Sequence, residues 1–209
     1  SYGGLIVAII SNAVTMADAG GISASLGSKI HIKTLTSDGS DDTLTFVHGT
    51  SSVVLDGTYP IYQFIFNSIH PQTNSAEFGV LTRDGGTDYD GVKTTTFLSC
   101  NHGTGSQGGP IAEDFHVRQS TGLATLALNV GSDADENCSG YMYLYSPAST
   151  TFTKFFQSRM SAQRQDGVSV VCFCAGHSNH TAAITGVQFK FSSGQIQAGS
   201  ISLYGIKDS

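Results

Sequence analysis

Three groups of side chains in this sequence are spaced so that they could do chemistry. The first is Thr82, Asp84, Gly86 and Tyr89 in TRDGGTDY, which fits the Asp-box pattern S/T-x-D-x-G-x-x-aromatic. In such a hairpin the carboxylate accepts backbone N–H bonds, glycine supplies a positive φ and the ring packs beneath. The second group is acidic. Asp84, Asp88 and Asp90 are calcium candidates by charge density, and GSDADEN offers Asp133, Asp135 and Asn137 at the first three positions of a calcium loop. Cys138 then stands where such a loop needs glycine, and Leu144 where it needs glutamate. The third group is two short pairs, His177 with His180 and Cys100 with His102. Zinc requires four convergent ligands, often supplied as two such pairs, but the spacing between these pairs is no familiar one.

A binding surface is the other possibility. Tyr59 and Tyr89 fall in turn-rich segments, and the Gly-rich stretch CNHGTGSQGGPIAED carries Asn101, His102 and Gln107. Aromatic rings for stacking and neutral polar groups for hydrogen bonding suit a glycan. Catalysis lacks comparable support. The chain has no G-x-S-x-G elbow and no phosphate loop, and none of Glu77, Glu113 or Glu136 sits in a recognisable glycosidase context. Binding without an enzymatic step and without a cofactor is therefore the expectation.

The elements that must position these residues read as strands. YPIYQFIFNSIHP alternates, with Tyr62, Phe64 and Phe66 on one face and Ile61, Ile65 and Asn67 on the other. AEFGVLT and VKTTTFLS flank RDGGTDYDG, which reads as a hairpin turn. LATLALNV, GYMYLYS, TFTKFFQS, VSVVCFCAG and AAITGVQFKF follow, and GQIQAGSISLYGIKDS closes the chain as a strand pair with tight bends. Convincing helical periodicity is missing throughout. The density of short strands predicts an all-β fold, an antiparallel sandwich of jelly-roll-like form, in a single domain over residues 1–209.

Composition agrees with that class. The 209 residues are 39% hydrophobic and only 12% charged, with 25 glycines, and their net charge is −6. Ten scattered Lys and Arg make no basic stripe, which disfavours nucleic acid. The Cys172–Cys174 pair in VSVVCFCAG places both thiols on one sheet face, as buried apolar groups. A bridge between Cys100 and Cys138 stays open. Residues 1–20 contain the apolar run Leu5–Ile10, too short to span a bilayer and read as a strand or a subunit-packing arm. No membrane insertion is expected.

Two long stretches carry a resemblance: TYPIYQFIFNSIHPQTNSAEFGVLTRDGGTDYD and AGHSNHTAAITGVQFKFSSGQIQAGSISLYGIK. They resemble a family of phage virion structural proteins, tail-fibre-like or otherwise uncharacterised virion components. In that family a Y-x-x-Y-x-F-x-F-x-x-I-H-P strand precedes a D-G-G-x-x-Y turn and the chain closes on S-G-x-I-x-x-G-x-I-x-L-Y-G-I. The likeness covers most of residues 50–206. It implies a component of the virion exterior that contacts sister subunits, as a homotrimer, and other capsid or tail proteins. Host surface polysaccharide is the expected outside partner. A capsid decoration protein with no host-binding role is the alternative, and a polysaccharide depolymerase a further one.

Overall fold

The computed structural model describes residues 9–11, 14–18, 21–22, 28–103, 106–108 and 113–207. Three short strands come first, β1 (Ile9–Ser11), β2 (Val14–Asp18) and β3 (Gly21–Ile22), joined as an antiparallel meander. Most of the expected arm Leu5–Ile10 lies outside the described residues. Its last two members, Ile9 and Ile10, belong to β1.

Twelve further strands build the main body. They are β4 (Lys29–Thr36), β5 (Leu44–Val47), β6 (Ile61–Pro71), β7 (Ala76–Arg83), β8 (Lys93–Gly103) and β9 (Ser106–Gly108), then β10 (Ala124–Val130), β11 (Cys138–Tyr145), β12 (Phe155–Gln163), β13 (Ser169–Ser178), β14 (Gly186–Phe191) and β15 (Ile196–Ile206). One turn of 3₁₀ helix at Glu113–Phe115 is the single helical element among the described residues. The strands form an eight-stranded sheet in the order β4-β15-β6-β11-β12-β13-β8-β9 and a four-stranded sheet in the order β10-β7-β14-β5. Every pairing is antiparallel. The chain is thus an all-β sandwich. A jelly roll divides eight strands between two Greek keys; here the two packed sheets hold eight and four.

The alternation read from the sequence fixes which side of each strand is buried. β12 alternates without exception, exposing Phe155, Gln157, Arg159, Ser161 and Gln163 and burying Phe156, Ser158, Met160 and Ala162. Tyr62, Phe64 and Phe66 of β6 point inward, as the period of two requires. Between the sheets lies an aromatic cluster. Phe189 of β14 contacts Phe64 at 5.1 Å and Phe66 at 5.0 Å between ring centroids, both edge-to-face. Phe46 and Phe78 complete the group, at 6.3 and 6.1 Å from Phe189. These rings join β6 of the large sheet to three of the four strands of the small one. Truncating such a fully enclosed ring to alanine costs about 3–5 kcal/mol.

Two expectations are corrected by this topology. β7 and β8 do not pair with each other: β7 lies in the small sheet and β8 in the large one. The segment RDGGTDYDG is therefore a crossover between sheets, and its return is marked by the Gly91 N–H donating to the Thr82 carbonyl at 2.9 Å. The closing stretch is one continuous strand, β15, lodged between β4 and β6. Its register against β6 slips around Gly199, and this bulge is what appeared in the sequence as a tight bend.

Candidate functional site

Large sheets in a sandwich have an inner face given to the core and an outer face that must find another use. Here the outer face of the eight-stranded sheet is lined by aromatic and neutral polar residues. β11 reads YMYLY, so Met142 and Leu144 are buried while Tyr141, Tyr143 and Tyr145 emerge on the other side. The three rings form a ladder, with centroids 5.4 Å apart for Tyr141–Tyr143 and 6.4 Å for Tyr143–Tyr145.

Register carries this ladder into neighbouring strands. Tyr141 stands beside Arg159, which stands beside Phe173, which stands beside Leu98. Leu98 and Phe173 are both 41% exposed, an unusual degree for such side chains in strands of a sheet interior. Together with Thr96 and Gln157 they line an open hollow of about 300 Å³. In the next row Tyr143 sits between Gln63 and Gln157, and Tyr204 and His31 extend the row beyond Gln63.

The polar groups of this face hold the rings in place. Gln63 donates from Nε2 to the Tyr143 hydroxyl at 2.9 Å, and Gln157 donates from Nε2 to the Tyr145 hydroxyl at 2.7 Å. Partial burial, and then the neighbouring Tyr143 and Tyr141, push the Tyr145 hydroxyl pKa upward, so it stays a neutral donor. At the β4 edge the Lys29 ammonium lies 4.1 Å from the Tyr204 ring centroid. The Arg159 guanidinium lies 5.7 Å from the Phe173 ring centroid. Flat rings offer a π face to polarised C–H groups, and glutamine amides both donate and accept, as sugar hydroxyls require.

The residues nominated from sequence are dispersed. Tyr59 is half-buried, its ring against Gly205 and edge-to-face with Tyr62 at 5.6 Å, beside a wide hollow that includes Asp56 and Ser149. Tyr89 covers the small sheet. The Arg83 guanidinium is 5.8 Å from its ring centroid, and burial raises its hydroxyl pKa. Asn101 and His102 lie at the far end of β8; His102 is exposed and pairs through its backbone with Gln107, whose side chain lies outside the described set. Of the four whose side chains are described, His102 alone shares a strand face with the tyrosine ladder, near the opposite edge. The sequence reading missed Tyr141, Tyr143, Tyr145, Gln157, Arg159 and Phe173. The signal was present in YMYLY, where a strand puts tyrosine at every solvent-facing position.

The acidic crossover is arranged differently from expectation. Asp84 faces His180, with Oδ2 3.3 Å from Nε2, and shares a hollow with Asp90, Gln119 and Asn179. The Asp88 carboxylate accepts from Thr87 Oγ1 at 3.4 Å and is not part of that hollow. Asp84, Asp88 and Asp90 thus do not converge, and no group of three or more ligand side chains occurs among the described residues. Gly86 does not have a positive φ; Gly85 does, at 147°. Within GSDADEN, buried Glu136 accepts from the Asp133 N–H at 2.9 Å and closes its own turn. His177 packs on Phe155 at 5.6 Å, away from the Asp84–His180 pair in its contacts. All four cysteines are free; Cys100 is exposed while Cys138 is buried in the core, so they do not bridge.

Comparison with known proteins gives no match to a family model, to a curated protein or to a solved structure.

Proposed function

We propose that this chain is a non-enzymatic recognition module of a phage virion exterior, with a jelly-roll-like sandwich as scaffold, that binds host surface glycan on the outer face of its large sheet. The observation that carries the glycan reading is the solvent-facing ladder Tyr141–Tyr143–Tyr145, held by the amides of Gln63 and Gln157. The virion assignment is supported by the sequence resemblance, and assembly as a homotrimer with other capsid or tail proteins goes with it. With three strands on one side of β11 and four on the other, the ladder has a rigid base, so little ordering entropy is lost on binding.

Purified chain titrated against a panel of bacterial surface polysaccharides, neutral and acidic, tests this reading. At least one should bind, and Tyr141→Ala with Tyr143→Ala should abolish that binding while the melting temperature stays within a few degrees. A panel with no binder, on protein shown to be folded, overturns the glycan reading. The strongly exposed Phe152 and Phe155, at 73% and 56%, favour a second reading in which a virion protein covers this side of the sheet. In that case Phe155→Ser releases the chain from particles and leaves polysaccharide binding unchanged. Release of reducing ends from a bound polysaccharide would point instead to a depolymerase.

A further inference from the structure

The acidic residues of this chain are segregated in a way that bears on the ligand. The protein has 16 Asp and Glu and a net charge of −6. The eight strands of the large sheet nevertheless contain no aspartate and no glutamate. In an acidic molecule, the broadest open face is free of carboxylates, so an anion approaching it meets no like charge from the sheet itself.

Arg159 stands on a central strand of that face. Among the described residues the ion pairs are Arg118–Glu113, Arg164–Asp166 and His180–Asp84, and the Arg159 guanidinium takes part in none. Among the described residues the Arg159 guanidinium has no hydrogen-bond partner; it lies over the face of Phe173, beside the hollow lined by Tyr141 and Leu98, with its N–H donors unspent. Arg159 is exposed, so its guanidinium is open to a ligand from solvent. An unpaired guanidinium, oriented by an aromatic ring and flanked by another, is set for a carboxylate, which it can hold with two parallel hydrogen bonds. Lys29 repeats the arrangement over Tyr204 at the β4 edge. Four strand spacings of about 4.8 Å separate β4 from β12, so the two strands lie roughly 19 Å apart across the sheet.

We infer that the glycan bound by this face is an acidic one, a polymer of carboxylated sugars such as uronates, with Arg159 as the residue that selects for the carboxylate. This rests on the glycan reading above and adds the ligand's charge to it. A polyphosphate is a poorer fit, because nucleic-acid binding draws on a dense row of cations and this face has two well-separated ones.

The test is titration calorimetry with oligogalacturonate, with the same oligomers after reduction of their carboxyls to alcohols, and with oligothymidylate. The acid form should bind about tenfold or more tightly than the reduced form, the scale of one charge-assisted contact. Arg159→Gln should bring that ratio close to one while the melting temperature stays unchanged. Arg159→Lys should keep part of the preference, and raising the salt should erode it in the native chain. Equal affinity for both forms, or an undiminished ratio in Arg159→Gln, overturns the charge assignment while the glycan reading stands. Tight oligothymidylate binding with neither sugar form bound overturns both. No binding of any of the three probes overturns the uronate assignment, and the polysaccharide panel then decides the glycan reading separately.

Discussion

Gln157 donates from Nε2 to the Tyr145 hydroxyl at 2.7 Å, a bond between exposed side chains of adjacent strands that orients one ring of the ladder. A ring that must be ordered on binding loses part of its interaction free energy to that ordering, about 0.5–1.5 kcal/mol for a mobile side chain. Gln157→Ala should therefore weaken binding of the preferred polysaccharide by about three- to tenfold. Stability should change by no more than about 0.5 kcal/mol, because both groups face solvent. Calorimetric titration alongside a urea melt checks both halves; unchanged affinity would mean that Tyr145 lies outside the contact.

Gly199 sits in β15 with φ at 105°, opposite the bulge of β6 where Ser68 has φ at 52°. A Cβ there would come within 2.5 Å of the Ser68 carbonyl oxygen and 2.8 Å of Ile69 Cα. Gly199→Ala should destabilise the protein by at least about 1–3 kcal/mol from the backbone conformation alone. Gly86→Ala is the control. Its nearest neighbour would be the Asp88 nitrogen at 3.9 Å and its φ is not positive, so its urea midpoint should match the wild type.

The contrast between these two glycines illustrates what the sequence made legible. Period-two alternation was enough to orient Tyr62, Phe64 and Phe66 inward and to pair Cys172 with Cys174 on the buried side, because local pleat geometry decides both. It could not tell a hairpin from a crossover at residues 84–92, since that depends on which sheet each flanking strand joins, a long-range outcome. The same limit hid the binding face. YMYLY shows its three outward tyrosines locally, but Arg159, Phe173 and Leu98 reach Tyr141 only through strand order. Tyr59 and Tyr89 were nominated as aromatic residues in turns; tertiary packing turned both into covers for neighbouring sheet residues.

Lys154 is 1% exposed, and its ammonium donates to the carbonyls of His180, Ala182 and, at 3.5 Å, Ser149. It gathers the loops on either side of β12 and β13. Burial lowers its pKa, and the nearby Asp84 carboxylate works in the opposite direction. Lys154→Ala should cost about 2–4 kcal/mol, since it strands buried carbonyls and opens a cavity. Asp84→Ala should cost less, about 1 kcal/mol, because it removes a partly exposed counter-charge and the pairing with His180. Chemical denaturation of both variants at neutral pH gives the order; a larger loss for Asp84→Ala would restore that carboxylate as the main staple of the crossover.

Lys93 provides a test that depends on pH. Its side chain is 1% exposed, and Nζ donates to the carbonyls of Gly91 at 3.0 Å and Thr121 at 3.3 Å, while its backbone pairs with Ser120. Burial pushes its pKa down to about 8, from an ordinary value of about 10.4 in the unfolded chain. Below the folded value both states are charged, and the native state bears the full cost of a buried ammonium. Between the two values the unfolded chain holds a proton that the native protein has released, so this group makes stability rise with pH. The core thiols act oppositely. Burial raises Cys172 to about 11 and Cys174 to about 12, so unfolded thiols ionise first and stability falls above about pH 8.5. The lysine is therefore isolated as a difference, wild type minus Lys93→Met, in which the thiols cancel. Urea melts under reducing conditions should show that difference moving in favour of the wild type by up to about 3 kcal/mol across the window from roughly pH 8 to 10.5. A difference independent of pH would mean that water reaches Nζ and that the ammonium is not held in a dry site.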